Sequence, residues 1–273
     1  MQDLLDNPAV QAGGGPLLVA LIVALLLART PAAWLAIAAG YATMLALSTG
    51  LSFSPLTASR KVALLVLLAP VAGLIIDRAD PRATGRAIPV ALGVAGGLAA
   101  LWAMASVLSQ RESAEAITRG ALVFVSAAGI VALVARLRSD GVASAAAGLG
   151  LGLASGVAAL LSASVGYFMS GVAVAAASGA MLLVQMVLGR SLPAGSAGSL
   201  TVGLAAALFA SASLMLAQLP WYALPLMAVV PAVLLLVPRG RGPVWRQALT
   251  LGVAAVAAAA IPLLAAWAAT LST

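Results

Sequence analysis

No charged residue stands between Asp140 and Arg190, and none between Arg190 and Arg239. Uninterrupted apolar stretches of that length have one common solvent, the hydrocarbon core of a bilayer. A soluble domain carries about 25% charged residues. This chain of 273 residues carries 8%, with 63% apolar residues and a mean hydropathy of +1.15. The fold class expected is therefore all-α, a polytopic transmembrane helical bundle forming one integral membrane domain over 1–273, with the lipid bilayer as its main partner.

A spanning helix needs about 20 predominantly apolar residues. Ten segments meet or approach this: 9–28, 32–50, 62–77, 87–108, 120–136, 142–163, 167–189, 200–217, 221–237 and 246–268. The third, interrupted by Pro70, is the weakest. The amino-terminal MQDLLDNPAV has Asp3 and Asp6 and no basic residue. It lacks the positive n-region of a signal peptide, so the first apolar segment is read as a retained helix.

Loop charge tests the count. Arg29, then Arg78, Arg82 and Arg86, then Arg136 and Arg138, then Arg190, then Arg239, Arg241 and Arg246 fall in the odd-numbered loops or at their edges. The even-numbered loops hold only Arg60, Lys61, Arg111 and Arg119. The positive-inside rule places the odd loops in the cytoplasm and both termini on the periplasmic or extracellular side. Among the basic residues only Lys61 is a lysine, and Ala and Gly abound. This is the coding bias of a high-GC bacterium, so the expected location is a bacterial cytoplasmic (inner) membrane. With this distribution the net charge of +7 sets orientation. No basic face interleaved with aromatics argues for nucleic acid.

Lipid is as apolar as leucine, so helices associate through close backbone approach and interhelical hydrogen bonds. Gly148, Gly152 and Gly156 recur every four residues and form one smooth ridge; Gly93 and Gly97 repeat the spacing. These five are the candidate helix-packing glycines. A homo-oligomer or another membrane protein is the alternative user of the Gly148 ridge. Gly171 and Gly179 add to the small-residue content of the seventh helix. Tyr167, Trp221, Tyr222 and Trp267 fall at the outer helix ends, and Trp34 and Trp245 near inner ends, as an interfacial belt would require. An aromatic ligand platform from the four outer residues is the other reading. In the outer linker 109–119, Arg111, Glu115 and Arg119 are four apart, a spacing that pairs them on a short surface helix.

Polar groups inside the spans are few. Ser and Thr satisfy themselves by bonding back to their own helix. Gln185 cannot, because a buried amide needs several partners. It is expected either to tie helices together or, with Ser162, Ser170, Ser178 and Ser211, to line a substrate path. Pro70, Pro225, Pro231 and Pro262 each remove a backbone donor and are the candidate kinks or hinges. Asp77 and Arg78 are expected to pair with Asp80 and Arg82 in a solvated loop.

Ten helices divide into five plus five, with halves 1–138 and 139–273. An odd repeat unit inverts its topology, as in many transporters. Pro55 in SPLTAS and Pro193 in SLPAGS are 138 residues apart, but Pro70 has no counterpart near 208. In helix number and size the chain resembles the drug/metabolite transporter superfamily, without a shared motif and with the opposite charge orientation.

The chain contains no Cys and no His. That excludes thiol chemistry, His-based metal or haem ligation and Ser-His-Asp catalysis, and gives no reason to expect a metal or other cofactor. No ionisable residue falls at the centre of a span, where proton and ion paths are usually marked. An enzyme is not expected. A permease for a small or amphipathic substrate is the leading reading; a non-catalytic membrane subunit or scaffold of an envelope complex is the alternative. The charge bias makes one prediction. A reporter fused after Thr273 is active only on the non-cytoplasmic side, and cytoplasmic activity would overturn the outside-ended topology.

Overall fold

The computed structural model describes residues 7–79, 87–217, 219–239 and 242–271. Asp80, Arg82, Arg86, Gln218 and Arg241 lie outside them. Among the described residues the chain forms ten apolar helical elements and no strand. They are α1 (Val10–Leu26), α2 (Pro31–Ser48), α3 (Ala58–Ala79), α4 (Ala87–Leu108), α5 (Ser113–Ala135), α6 (Gly141–Leu161), α7 (Val165–Leu188), α8 (Gly195–Leu216), α9 (Ala223–Leu236) and α10 (Val244–Thr270). All but α1 and α9 are long and apolar enough to cross a membrane. In hydrocarbon every backbone N–H and C=O must find its partner within the protein, which helices achieve locally. The chain is an integral membrane protein of the polytopic helical class.

The elements differ from the sequence expectation where backbone chemistry decides. α3 runs unbroken through Pro70, and α10 through Pro262. α9 breaks between Leu226 and Val229. Pro231 has no N–H to give the Met227 carbonyl, which accepts instead from Val230 N at 3.2 Å, a tighter i→i+3 bond. The stretch after Arg111 is not a separate surface helix. No breaker precedes the apolar run at Gly120, so Ser113–Arg119 forms the first turns of α5. There Glu115 pairs with Arg111 at 3.0 Å and Arg119 at 2.8 Å. Trp34 is not in an interfacial belt. It is buried, and its ring occupies the space over Gly198.

The bundle is organised around α8, in which every residue from Ser196 to Met215 is buried. It packs chiefly on α3, α5 and α6, and also on α4 and α7. Its sequence is mostly Ala, Gly and Ser, so neighbours approach closely on all sides. Three of its hydroxyls bond back to its own backbone: Ser199 to Gly195 O at 2.8 Å, Thr201 to Ala197 O at 2.7 Å and Ser213 to Phe209 O at 2.8 Å. A two-fold between the halves 1–138 and 139–273 would make α3 and α8 equivalent. They pack on each other, yet α8 is enclosed whereas α3 exposes Leu68, Val71 and Ile75.

The glycine ridge of α6 lies on α7. A Cβ on Gly152 would stand 2.7 Å from Ala175 N and 2.8 Å from Gly171 O; one on Gly156 would stand 3.1 Å from Phe168 O; one on Gly148 would strike the Ser178 hydroxyl. Gly93 and Gly97 face α5, with virtual Cβ positions 2.7 Å from Ala128 O and from the Phe124 ring. Gly179 has nothing within 4 Å. These contacts separate two outwardly similar substitutions. Gly152→Leu forces apart two backbones and is expected to cost at least about 1–3 kcal/mol, the usual range for overpacking. Gly179→Leu is expected to leave the thermal midpoint in detergent unchanged. Equal midpoints for the two variants would refute the α6–α7 packing.

Candidate functional site

The two ends of the bundle are built differently. At the end where the odd-numbered loops meet, side chains clasp backbone. Gln185, fully buried near the end of α7, donates to Gly141 O (3.3 Å) and Met181 O (3.2 Å) and accepts from Leu192 N (2.9 Å). It thereby joins α7, the start of α6 and the 189–194 linker. The Asp77 carboxylate, at the end of α3, accepts from Ser196 N (2.9 Å) and Ala197 N (3.3 Å), capping α8 with a negative charge where the helix dipole favours one. Gly195 makes that cap possible: its φ is +58°, and the carboxylate stands where a Cβ would be. Trp34 Nε1 donates to Pro193 O (3.0 Å), Arg190 to Ala28 O (3.0 Å), and Arg239 to Asp140 (3.2 Å). The sequence reading of Asp77 as a loop charge missed this role, since its partners lie 119 residues away.

The opposite end is open. A cavity of about 370 Å³ enters between α2, α3 and α7. Thr49, Ser52, Thr57 and Ser59 are exposed at its mouth; Tyr41, Leu45, Ala63 and Ser170 are buried at its inner end. Tyr41 is 2% exposed, lies against the Ser170 side chain and stacks on Phe209 of α8 (centroids 5.6 Å apart, 43° between planes). The floor thus rests on the central helix. Tyr41 lies seven residues in from the end of α2, about 10 Å along the helix. Ser59 and the Tyr167 hydroxyl, 3.0 Å apart, join α3 to α7 at its rim. Arg60 is the only lining side chain charged at neutral pH. Two broader grooves open at this end, and the smaller of them adjoins the cavity at Ser164. One, of about 1260 Å³, holds Arg111, Arg119 and Trp221; the other, of about 710 Å³, holds Ser162 and Ser164.

The five path candidates fall at different levels. Ser170 lines the cavity and bonds to Gly166 O (2.9 Å). Ser162 lines the adjoining groove and bonds to Ala158 O (2.6 Å). Ser178 and Ser211 are buried within the bundle, and their hydroxyls have no hydrogen-bond partner among the described residues. Gln185 belongs to the clasp. Ser178 and Gln185 are seven residues apart, about two turns, and so share a face of α7. Ser170, Ser178 and Gln185 therefore step down one helix from cavity to clasp. The outer aromatics do not form one platform: Tyr167 lines the cavity, while Trp221 lines a separate groove and stacks edge-on against Tyr222. Of the proline candidates, Pro225 and Pro231 flank the break in α9, and Pro70 and Pro262 sit within continuous helices. Sequence reasoning did not single out Tyr41, Ser59 or Arg60. Among the described residues no group of three carboxylate, imidazole or thiol side chains converges to hold a metal.

The clasp makes a stability prediction. Gln185→Leu strips Leu192 N–H of its partner in a buried site, and a loss of about 1–3 kcal/mol is expected. Asp77→Ala removes a helix cap and should cost about 0.5–2 kcal/mol. Both appear as lowered thermal midpoints in detergent, and unchanged midpoints would show that the clasp bonds do not hold this end. No protein-family model matches the chain, and neither a curated protein nor a solved structure does.

Proposed function

We propose that the protein is a permease for a small or amphipathic solute, with the cavity between α2, α3 and α7 as its solute-entry site. The observation that carries this reading is the cavity itself. It is hydroxyl-rich at the mouth and aromatic at the floor, in a bundle whose other end is clasped shut. Ligand sites commonly combine apolar walls with a few placed polar groups in this way. Transport then requires the clasp to open and the solute to pass along α7 where it meets α6 and α8, at the level of Ser178, whose unpartnered hydroxyl lies over Gly148 of α6. By the positive-inside rule the cavity faces the periplasm or exterior and the clasp the cytoplasm. The chain acts in a bacterial inner membrane without an enzymatic step.

A second reading, a non-catalytic subunit of an envelope complex, has one observation in its favour. An apolar groove of about 660 Å³ between α6, α7 and α10 exposes Gly179 and Gly252, with room for a partner helix. Purification in mild detergent separates the two: a stoichiometric protein partner supports the subunit, and a lone monomer or homodimer the permease.

Reconstituted protein is expected to pass at least one solute class in a proteoliposome screen of sugars, amino acids, organic acids and amphipathic amines. Ser170→Leu, which fills the inner cavity, should reduce that flux about ten-fold or more while keeping the wild-type thermal midpoint. Ser178→Ala should lower flux without loss of stability, since the hydroxyl it removes makes no bond. No flux above empty liposomes for any class would sink the permease reading.

A further inference from the structure

The chemistry of the cavity narrows its ligand, taking the permease reading of that site as given. We propose that the cavity binds an amphipathic anion, with a carboxylate or phosphate at Arg60 and a short apolar portion against Tyr41.

The charge balance comes first. Among the described residues Arg60 lines the cavity and no carboxylate does. The ion pairs among the described residues join Arg111 and Arg119 to Glu115 and Arg239 to Asp140; Arg60 takes part in none. Its guanidinium spends one donor on Pro55 O at 2.8 Å, a bond from the first turn of α3 back to the loop that precedes it. That bond fixes the orientation of the group and leaves the rest of a planar fork suited to two oxygens of one anion. Lys61 follows it in sequence but turns to α4, its ammonium 5.0 Å from the centre of the Trp102 ring. Among the described lining residues the charge at the cavity mouth is therefore that of Arg60 alone, and a cationic solute is disfavoured there.

The polar neighbours are of the right type. Thr49, Ser52, Thr57, Ser59 and Ser164 surround the Arg60 level with hydroxyls, which donate to anionic oxygens at little cost. Further in, the lining changes to Tyr41, Leu45 and Ala63, with Ser170 the one aliphatic hydroxyl among them. A fully polar solute such as inorganic phosphate would leave that half unmatched, and a neutral hydrocarbon would leave Arg60 unmatched. The volume of about 370 Å³ lies at the small end of ligand pockets. Both a free organic acid and the headgroup end of an anionic lipid carry this chemistry.

The test measures binding and flux separately on the full-length protein. In neutral detergent, hexanoate is expected to raise the thermal midpoint saturably, whereas hexanol and hexylammonium do not. Arg60→Gln should weaken hexanoate binding about ten-fold or more, the loss expected for a charge-assisted bond, and Arg60→Lys should restore part of it. Without ligand, both variants should match the wild-type midpoint, which separates loss of binding from loss of folding. Nanodiscs with and without phosphatidylglycerol identify the source. Stabilisation by that lipid, lost in Arg60→Gln and with no hexanoate effect, assigns the site to a lipid headgroup. Stabilisation by hexanoate assigns it to a free acid. Hexylammonium binding as tightly as hexanoate, hexanoate binding unchanged by Arg60→Gln, or no saturable effect from either anion would each overturn the anion site. Hexanoate binding without flux of any solute would leave the anion site standing and remove the permease. Flux of sugars or amines with no anion binding would do the reverse.

Discussion

Lipid offers the bundle neither hydrogen bonds nor a hydrophobic reason for helices to meet. What remains is contact, and contact is gained by bringing backbones close. α8 is where that requirement is met most fully. At these crossings a glycine, on α8 or on its neighbour, lets the two elements approach closely. The Gly73 backbone meets Ser196 and Ala197; Gly203 receives Val131, with its virtual Cβ 3.0 Å from that residue's Cα; the Trp34 ring lies over Gly198. Many of the large apolar side chains point the other way. Val187 and Leu236 are 80% and 82% exposed, an expensive arrangement in water and a neutral one in hydrocarbon. Small residues inside and large ones outside are the inverse of a soluble core, and the enclosure of α8 depends on it.

This packing also accounts for the scarcity of free polar groups in the membrane interior. Several hydroxyls on α6, α7 and α8 turn back to carbonyls of their own helix, as Ser155 does to Gly152 O, Ser170 to Gly166 O and Thr201 to Ala197 O. Polarity is concentrated at the two ends instead. Gln185, the one amide in the interior of a long span, is placed near the helix end, where the backbone of the 189–194 linker supplies the partner it needs. The result is a bundle with a polar clasp, an apolar middle and a hydroxyl-lined cavity, in that order along α7.

Much of the architecture was legible in the sequence because it depends on local composition. Helix number, approximate bounds and the grouping of the odd loops follow from where apolar runs stop and arginines fall. The glycine spacings of α4 and α6 can be read along a single helix. Three features could not be read this way. Asp77 looked like a loop charge because its partners at Ser196 and Ala197 come from a distant segment. Trp34 looked interfacial because nothing local says that Gly198 opens a slot for its ring. The cavity was invisible because Tyr41, Arg60 and Ser170 lie on three helices, and none of them is unusual on its own. The break in α9 was half visible: prolines at 225 and 231 mark it, while prolines at 70 and 262 lie in helices that continue.

The clasp and the cavity also differ in how readily they can change. Gln185, Trp34 and Arg190 bond to main-chain carbonyls, and Asp77 to main-chain N–H groups. The main-chain partner in each such bond has no rotamer by which to turn away. Opening that end requires α3, α7 and the start of α8 to move as bodies, with several charge-assisted bonds exchanged together. The cavity end has fewer restraints: the Ser59–Tyr167 contact joins two side chains, and the Arg60–Pro55 bond links the first turn of α3 only to the loop before it. On the permease proposal, solute entry would demand little rearrangement and release through the clasp much, so the slow step would lie at the clasp. A substitution such as Asp77→Asn, which weakens one charged cap while leaving the fold's contacts in place, should act on the rate of transport before it acts on affinity. Arg60 should act in the opposite order.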